Sequence, residues 1–250
     1  MSGNQPELYH CQTQQAYAPT VGVAPAPHLH KSHADKPQIV LGVGNIVPRW
    51  DTSKGPTNLK WFLKAETFPS PAEAQFSAQA LDKAAADWNE YKIGVTFSQT
   101  TNKAQANFFL VYEVNTDATK GVFASAFFPN QSDQDVKVFK YALEPANRDN
   151  LKAFLLHELG HVFGLRHEFA VEGDFSGGSL NILNWNWPEG QGAVQFMNKN
   201  PDSVMSYRLP PKIQPSDVEG LRAFYKLKGG QPVDGKSGPP VTDYVPQVRK

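Results

Sequence analysis

One short stretch limits this chain more than any other. The residues HELGHVFGLRHE, His157 to Glu168, hold three histidines, two glutamates and two glycines. The chain has seven histidines, and the other four (His10, His28, His30, His33) fall in the first 33 residues. On a helix, residues four apart share a face one turn up, so His157 and His161 present two imidazoles to one point. Neutral imidazole suits a borderline cation such as zinc. Glu158 stands about 100° around the axis from His157. There a carboxylate lies beside the open side of such an ion and can take a proton from an attacking water. A catalytic zinc usually has three protein ligands, and His167 is the remaining candidate. A continued helix would carry it about 240° round, to the wrong face, so the helix must break between His161 and His167. Gly164 sits where it can, since glycine tolerates the left-handed conformation that ends helices. Leu151, Phe154, Leu155, Leu156, Leu159, Val162 and Phe163 make the helix apolar on most sides, hence buried. Three imidazoles in a buried helix without a cation carry costly unsatisfied ring nitrogens. Chance occurrence of the five-position pattern at this composition is on the order of 10⁻⁵.

The rest of the chain reads as one α+β unit with tails. Residues 1–36 are rich in Pro, Ala, Gln and His and poor in large aliphatics, so a disordered N-terminal tail is expected. Residues 229–250, with GGQPVDGKSGPP, read as a flexible C-terminal tail. Residues 37–228 are left as the globular unit. Within it, Leu59 to Phe68 suggests a strand. Ser70-Pro71-Ala72-Glu73 is a helix start with cap, proline and capping-box glutamate in place. Phe76, Ala80, Ala84 and Trp88 give that helix one buried face, ending near Tyr91 to Gly94. Four further strands are expected over Val95–Thr100, Ala106–Val114, Gly121–Phe128 and Val136–Leu143. The histidine helix opens near Asn147 to Asn150. A last helix fits DVEGLRAFYKL, with Ser216 or Asp217 as cap. No internal repeat is visible.

Composition removes other classes. Lys+Arg and Asp+Glu are equal at 24 each, which leaves no electrostatic footprint for nucleic acid or an anionic membrane. No run of about 18 apolar residues exists for a transmembrane helix. The start, MSGNQPELYHCQTQQ, lacks the basic and apolar segments of a secretory signal, so intracellular residence or leaderless secretion is expected. Cys11 is the only cysteine. It cannot form an intramolecular disulfide and reads first as a free thiol in the tail.

With these residues in place, the chain resembles the metzincin zinc metallopeptidases. His157, Glu158, His161, Gly164 and His167 match the extended H-E-x-x-H-x-x-G-x-x-H motif of that clan. Ser203-Val204-Met205-Ser206-Tyr207 is similar to its methionine turn, and LDKAAADWNEYKIGVTFSQ and PSDVEGLRAFY resemble its first long helix and its closing helix. The resemblance covers about residues 45–228. It implies a metzincin-like zincin fold: a twisted, mostly parallel five-stranded sheet with an active-site helix, then a smaller irregular C-terminal subdomain with a Met-turn and a terminal helix. It also implies Zn2+ held by His157, His161 and His167, with Glu158 as general base and Met205 as an apolar floor. Glu168 after the third histidine and the SVMSY turn resemble the astacin and serralysin branch. There a tyrosine two residues past the methionine is a movable extra ligand, the role implied for Tyr207; a packed turn tyrosine is the alternative. Leu165 stands where astacins usually carry Phe, the disulfides of animal astacins cannot form, and serralysin-type calcium repeats are absent. No PRCGVPD-like segment surrounds Cys11. The subfamily and the role of Glu168 stay open.

The activity implied is zinc-dependent endopeptidase hydrolysis of proteins or peptides, by a monomer. The substrate would lie extended along an edge strand, for which Gly121 to Phe128 is the candidate; the alternative is that this strand is only core. A catalytically inactive binding module of the same fold and a structural zinc site are the competing readings. Intact Glu158 argues against the first, and three histidines with an open fourth position argue against the second. Cys11 or Asp51 capping the metal in a latent form, and metal binding by His28, His30 and His33, are further alternatives to a solvated tail.

Overall fold

The computed structural model describes residues 11, 13, 38–43, 45–131, 135–168, 194–197, 200–206, 208–233, 235–236 and 238–249. Their centre is a five-stranded sheet built from β3 (Thr57–Leu63), β4 (Val95–Gln99), β5 (Phe108–Glu113), β6 (Ala124–Ser125) and β7 (Val136–Phe139). The order across the sheet is β4-β3-β5-β7-β6. Every pairing is parallel except that of β6 with β7. The expected mostly parallel five-stranded sheet is therefore present. Two strands are shorter than the sequence suggests. The run from Val122 to Phe128 is buried at every position, so it lacks the alternation that a half-buried strand requires and ladders only at Ala124–Ser125. The segment after β7 tightens into a 3-10 turn over Lys140–Leu143.

Helix α1 (Pro71–Glu90) starts as expected: Ser70 Oγ accepts the Glu73 backbone N–H at 3.2 Å and donates to Glu73 Oε2 at 3.0 Å. Its buried face is Ala74, Ser77, Ala78, Ala80, Leu81, Ala84, Ala85 and Trp88. Phe76 lies at the margin of that face, under the Arg148 guanidinium at 4.1 Å. Small side chains on this face let α1 lie against α2 (Leu151–Phe163). Trp88 closes the contact, donating from Nε1 to Leu156 O at 2.9 Å and stacking on Phe163 with ring centroids 5.0 Å apart.

All of α2 except Lys152 and Ala153 is buried. A buried helix end leaves four carbonyls without partners inside the helix, and here each finds one. Gly160 O accepts from Leu165 N at 3.0 Å and His161 O from Gly164 N at 2.8 Å, the closing pair of a left-handed glycine cap. Val162 O accepts from Trp50 Nε1 at 2.7 Å and Phe163 O from the Tyr225 hydroxyl at 3.0 Å. Helix α3 (Pro215–Lys226), which carries Tyr225, begins two positions before the expected Asp217. Pro215 takes the first turn, and Gln214 rather than Ser216 or Asp217 is the cap.

Two further two-stranded ladders flank this unit. β1 (Gln38–Leu41) pairs antiparallel with β8 (Val194–Met197), and β2 (Val47–Trp50) pairs parallel with β9 (Val241–Tyr244). β9 lies in the stretch expected to be a flexible tail. It is held because Val241 fills the core at 1 % exposure and Asp243 reaches the buried Arg49 guanidinium at 2.6 Å. Farther on, Arg249 binds Asp135 at 3.1 Å and donates its backbone N–H to Ala106 O at 2.7 Å. The Pro- and Gly-rich sequence of 229–240 masks a short strand whose partner is nearly 200 positions away, at Val47. Among the described residues, no helix is long and apolar enough to cross a membrane.

Candidate metal centre

Helix α2 puts His157 and His161 one turn apart, and both are fully buried. Gly164 then ends the helix at φ 103°, a conformation that side chains with a Cβ rarely adopt. A Cβ there would also stand 2.6 Å from Pro48 O. The turn returns the chain so that His167 Nε2 lies 3.1 Å from His157 Nε2 and 3.2 Å from His161 Nε2. The expected meeting of the three imidazoles around a glycine bend is therefore what the fold builds.

Their other ring nitrogens fix the tautomers. His157 Nδ1 donates to Val204 O and His161 Nδ1 donates to Leu165 O, each at 2.8 Å. A carbonyl can only accept, so Nε2 of both rings carries a lone pair. Burial first, and then the neighbouring imidazole of His167, hold both rings well below the usual histidine pKa, so both are neutral at pH 7. A cation at the centre of the three Nε2 atoms answers all of their lone pairs at once. A tetrahedral zinc with bonds of about 2.05 Å to nitrogen sets its nitrogens about 3.3 Å apart, close to the separations found. The residues present thus fit the metal that the donor set implies, and the backbone carbonyls orient the ligands as such sites require.

Met205 packs directly on α2. Its Sδ packs against Gly160, where a Cβ would collide with it. The turn that carries Met205 is held by Asp217 of α3. Asp217 Oδ1 accepts from Ser203 Oγ at 2.6 Å, and Oδ2 accepts from Val204 N at 2.9 Å and Gln214 N at 2.8 Å. Since Val204 O takes the His157 proton, Asp217 supports the ligand orientation through one residue. Burial raises its carboxyl pKa, against the pull of these three donors. Glu168, left without a role by the sequence, joins the same turn: its N–H donates to Met205 O at 3.1 Å and its Oε1 accepts from Asn200 N at 2.7 Å. Tyr207 lies outside the described residues, as do His28, His30 and His33.

From the sequence, capping of the metal by Cys11 is only an alternative to a free thiol. Cys11, expected in a loose tail, is 3 % exposed. Its Sγ lies 3.4 Å from His161 Nε2 and 3.5 Å from Glu158 Oε2. Thr13 Oγ1 donates to Glu158 Oε2 at 2.8 Å. The donor atoms of Cys11, His157, His161 and His167 all lie within 4.8 Å of one another. Asp51 turns away and accepts the Ser53 backbone N–H at 2.8 Å. A single cysteine far from the histidines carries no spacing signal, so only the fold reveals it.

Converging neutral imidazoles with a carboxylate one residue along the same helix define a metal-dependent hydrolase. More narrowly, residues 55–190 match the profile of the dual-action HEIGH metallo-peptidases, and the chain belongs to that family. It is a metallopeptidase. The matched span includes α2 and His167 but neither Cys11 nor Met205. No curated protein matches the sequence significantly. Among solved structures, the chain is similar to high choriolytic enzyme 1, a hatching-enzyme zinc-protease of the medaka fish Oryzias latipes: 13% identity over 72% of this chain and 95% of that one, TM-score 0.42. It is also similar to archaemetzincin of Methanopyrus kandleri: 15% identity over 69% of this chain and 97% of that one, TM-score 0.38.

Proposed function

We propose that the chain is an endopeptidase of the metzincin type that hydrolyses internal peptide bonds of extended substrates, with His157, His161 and His167 holding zinc and Glu158 as general base. The observation that carries this is the Nε2 triangle, 3.1 and 3.2 Å on its measured sides, with Glu158 on the same buried helix. When bound, zinc supplies Lewis-acid polarisation of the scissile carbonyl and acidifies water toward neutral pH. The chain does the rest. The carbonyls of Val204 and Leu165 keep His157 and His161 in the tautomer that directs Nε2 inward. Glu158 Oε2 takes the proton of the attacking water and returns it to the leaving amine. Gly164 sets the bend that delivers His167, and Met205 and Gly160 close the floor without a polar group. Tyr207 is proposed as a hydrogen-bond donor to the developing oxyanion. β6 is the proposed docking edge, where backbone pairing gives affinity with little sequence choice.

The test is Glu158→Gln. The variant should keep zinc and fold while losing cleavage of a casein-type substrate by about 10²–10⁴, the usual weight of a general base. Equal and detectable cleavage by both forms would remove Glu158 from the reaction.

A further inference from the structure

We propose that Cys11 is a fourth ligand of the metal and that Cys11 and Thr13 close the centre, so that the intact chain rests in an inactive form. This rests on the peptidase reading and adds regulation to it. Four observations meet at one place. First, a tetrahedral zinc with a sulfur bond of about 2.3 Å sets sulfur about 3.5 Å from each nitrogen, and Cys11 Sγ lies 3.4 Å from His161 Nε2. Second, the Thr13 backbone N–H donates to Cys11 Sγ at 3.3 Å, which holds the sulfur in place beside His161. Third, Thr13 Oγ1 donates to Glu158 Oε2 at 2.8 Å and accepts from Ala126 N at 2.7 Å. The base and a backbone donor just past β6 are thereby both occupied. Fourth, Cys11 bridges Ala124 in parallel, so it lies on the edge that an extended substrate would use.

The result is a centre with no approach. Glu158 and the three histidines are 0 % exposed, beneath Cys11 and Thr13 at 3 % each. Among the described residues Glu158 has no exposed surface, so a peptide carbonyl reaches it only when Cys11 and Thr13 move away. On ligation the Cys11 thiol loses its proton to bulk water as the sulfur–metal bond forms. Displacement reverses this: the bond breaks, the sulfur is reprotonated and the fourth position opens.

The experiment uses the full chain loaded with one zinc. X-ray absorption at the zinc edge should show a sulfur scatterer at about 2.3 Å, absent from Cys11→Ser. The Cys11 thiol should resist a thiol-titrating reagent until a chelator is added. Cys11→Ser should cleave casein at least about tenfold faster than the unaltered chain, as follows if a tenth or less of the resting protein is open. A zinc shell of nitrogen and oxygen alone in the unaltered chain overturns the ligand assignment and leaves the three-histidine reading standing. That spectrum decides the point whether or not the variant folds. A sulfur scatterer with equal cleavage by Cys11→Ser and the unaltered chain overturns the inactive resting form. A sulfur scatterer with no cleavage by any form, even after the thiol is displaced, overturns the peptidase reading and leaves a structural zinc site.

Discussion

Asp217 lies in a helix that touches no substrate, yet its removal should weaken both the fold and the metal centre. Its carboxylate accepts three hydrogen bonds in a fully buried position, from Ser203 Oγ, Val204 N and Gln214 N. Asp217→Ala leaves these three donors without that acceptor. An unsatisfied buried donor costs about 1–3 kcal/mol, so the sum is roughly 3–6 kcal/mol once the release of a desolvated carboxylate is credited against it. For a domain near this size about 1 kcal/mol corresponds to roughly 2–4 °C in Tm, which gives a drop of about 10–20 °C. The second effect is on the ligand set. Val204, whose N–H Asp217 holds, accepts the Nδ1 proton of His157 through its carbonyl at 2.8 Å. Loss of such outer support typically costs 10–100-fold in metal affinity. Calorimetric unfolding and competition for zinc with a chelator measure the two effects separately. Unchanged Tm together with unchanged zinc affinity would falsify the view that α3 positions the turn.

Gly164→Ala forces a Cβ onto a residue at φ 103° and against Pro48 O; the loss should reach at least about 2 kcal/mol in denaturant unfolding, with weaker zinc retention because His167 is displaced. Asp243→Ala tests whether the C-terminal strand belongs to the fold. It leaves the Arg49 guanidinium of a residue 5 % exposed with Phe224 O as its hydrogen-bond acceptor among the described residues, and should cost about 2 kcal/mol; a change of Tm within error would mean that β9 is loosely held. Removing zinc with a chelator should lower Tm as mass action requires, by about 4 kcal/mol of stability at a free zinc of 1,000 Kd. No shift on chelation would count against a metal in this cluster.

Much of this was legible because it is local. Ser70 to Glu73 encodes the start of α1 in four positions, and the three histidine ligands and Gly164 lie within eleven residues. The 3.6-residue period and one helix-ending glycine suffice to predict how they converge. Strands β3, β4, β5 and β7 carry dense β-branched and aromatic runs. What escaped is distant pairing. β9 reaches β2 from the far end of the chain, and its four residues carry no alternation long enough to stand out among prolines and glycines. Cys11 meets Glu158 across 147 positions with no motif around it. Asp217 reads as a cap because an acid at a helix start usually is one; that its Oδ atoms also serve Ser203 and Val204 depends on where α3 docks. Gly160 passes as an ordinary helix residue until Met205 is set against it.

The central claim is that one buried helix supplies two metal ligands and the base of a peptidase. Its most direct measurement compares Cys11→Ser with the Cys11→Ser, Glu158→Gln pair for bound zinc and for cleavage of an unstructured protein in the same preparations. The account expects one zinc per chain in both and cleavage slower by about 10²–10⁴ in the second. Equal zinc with equal cleavage rates would contradict it.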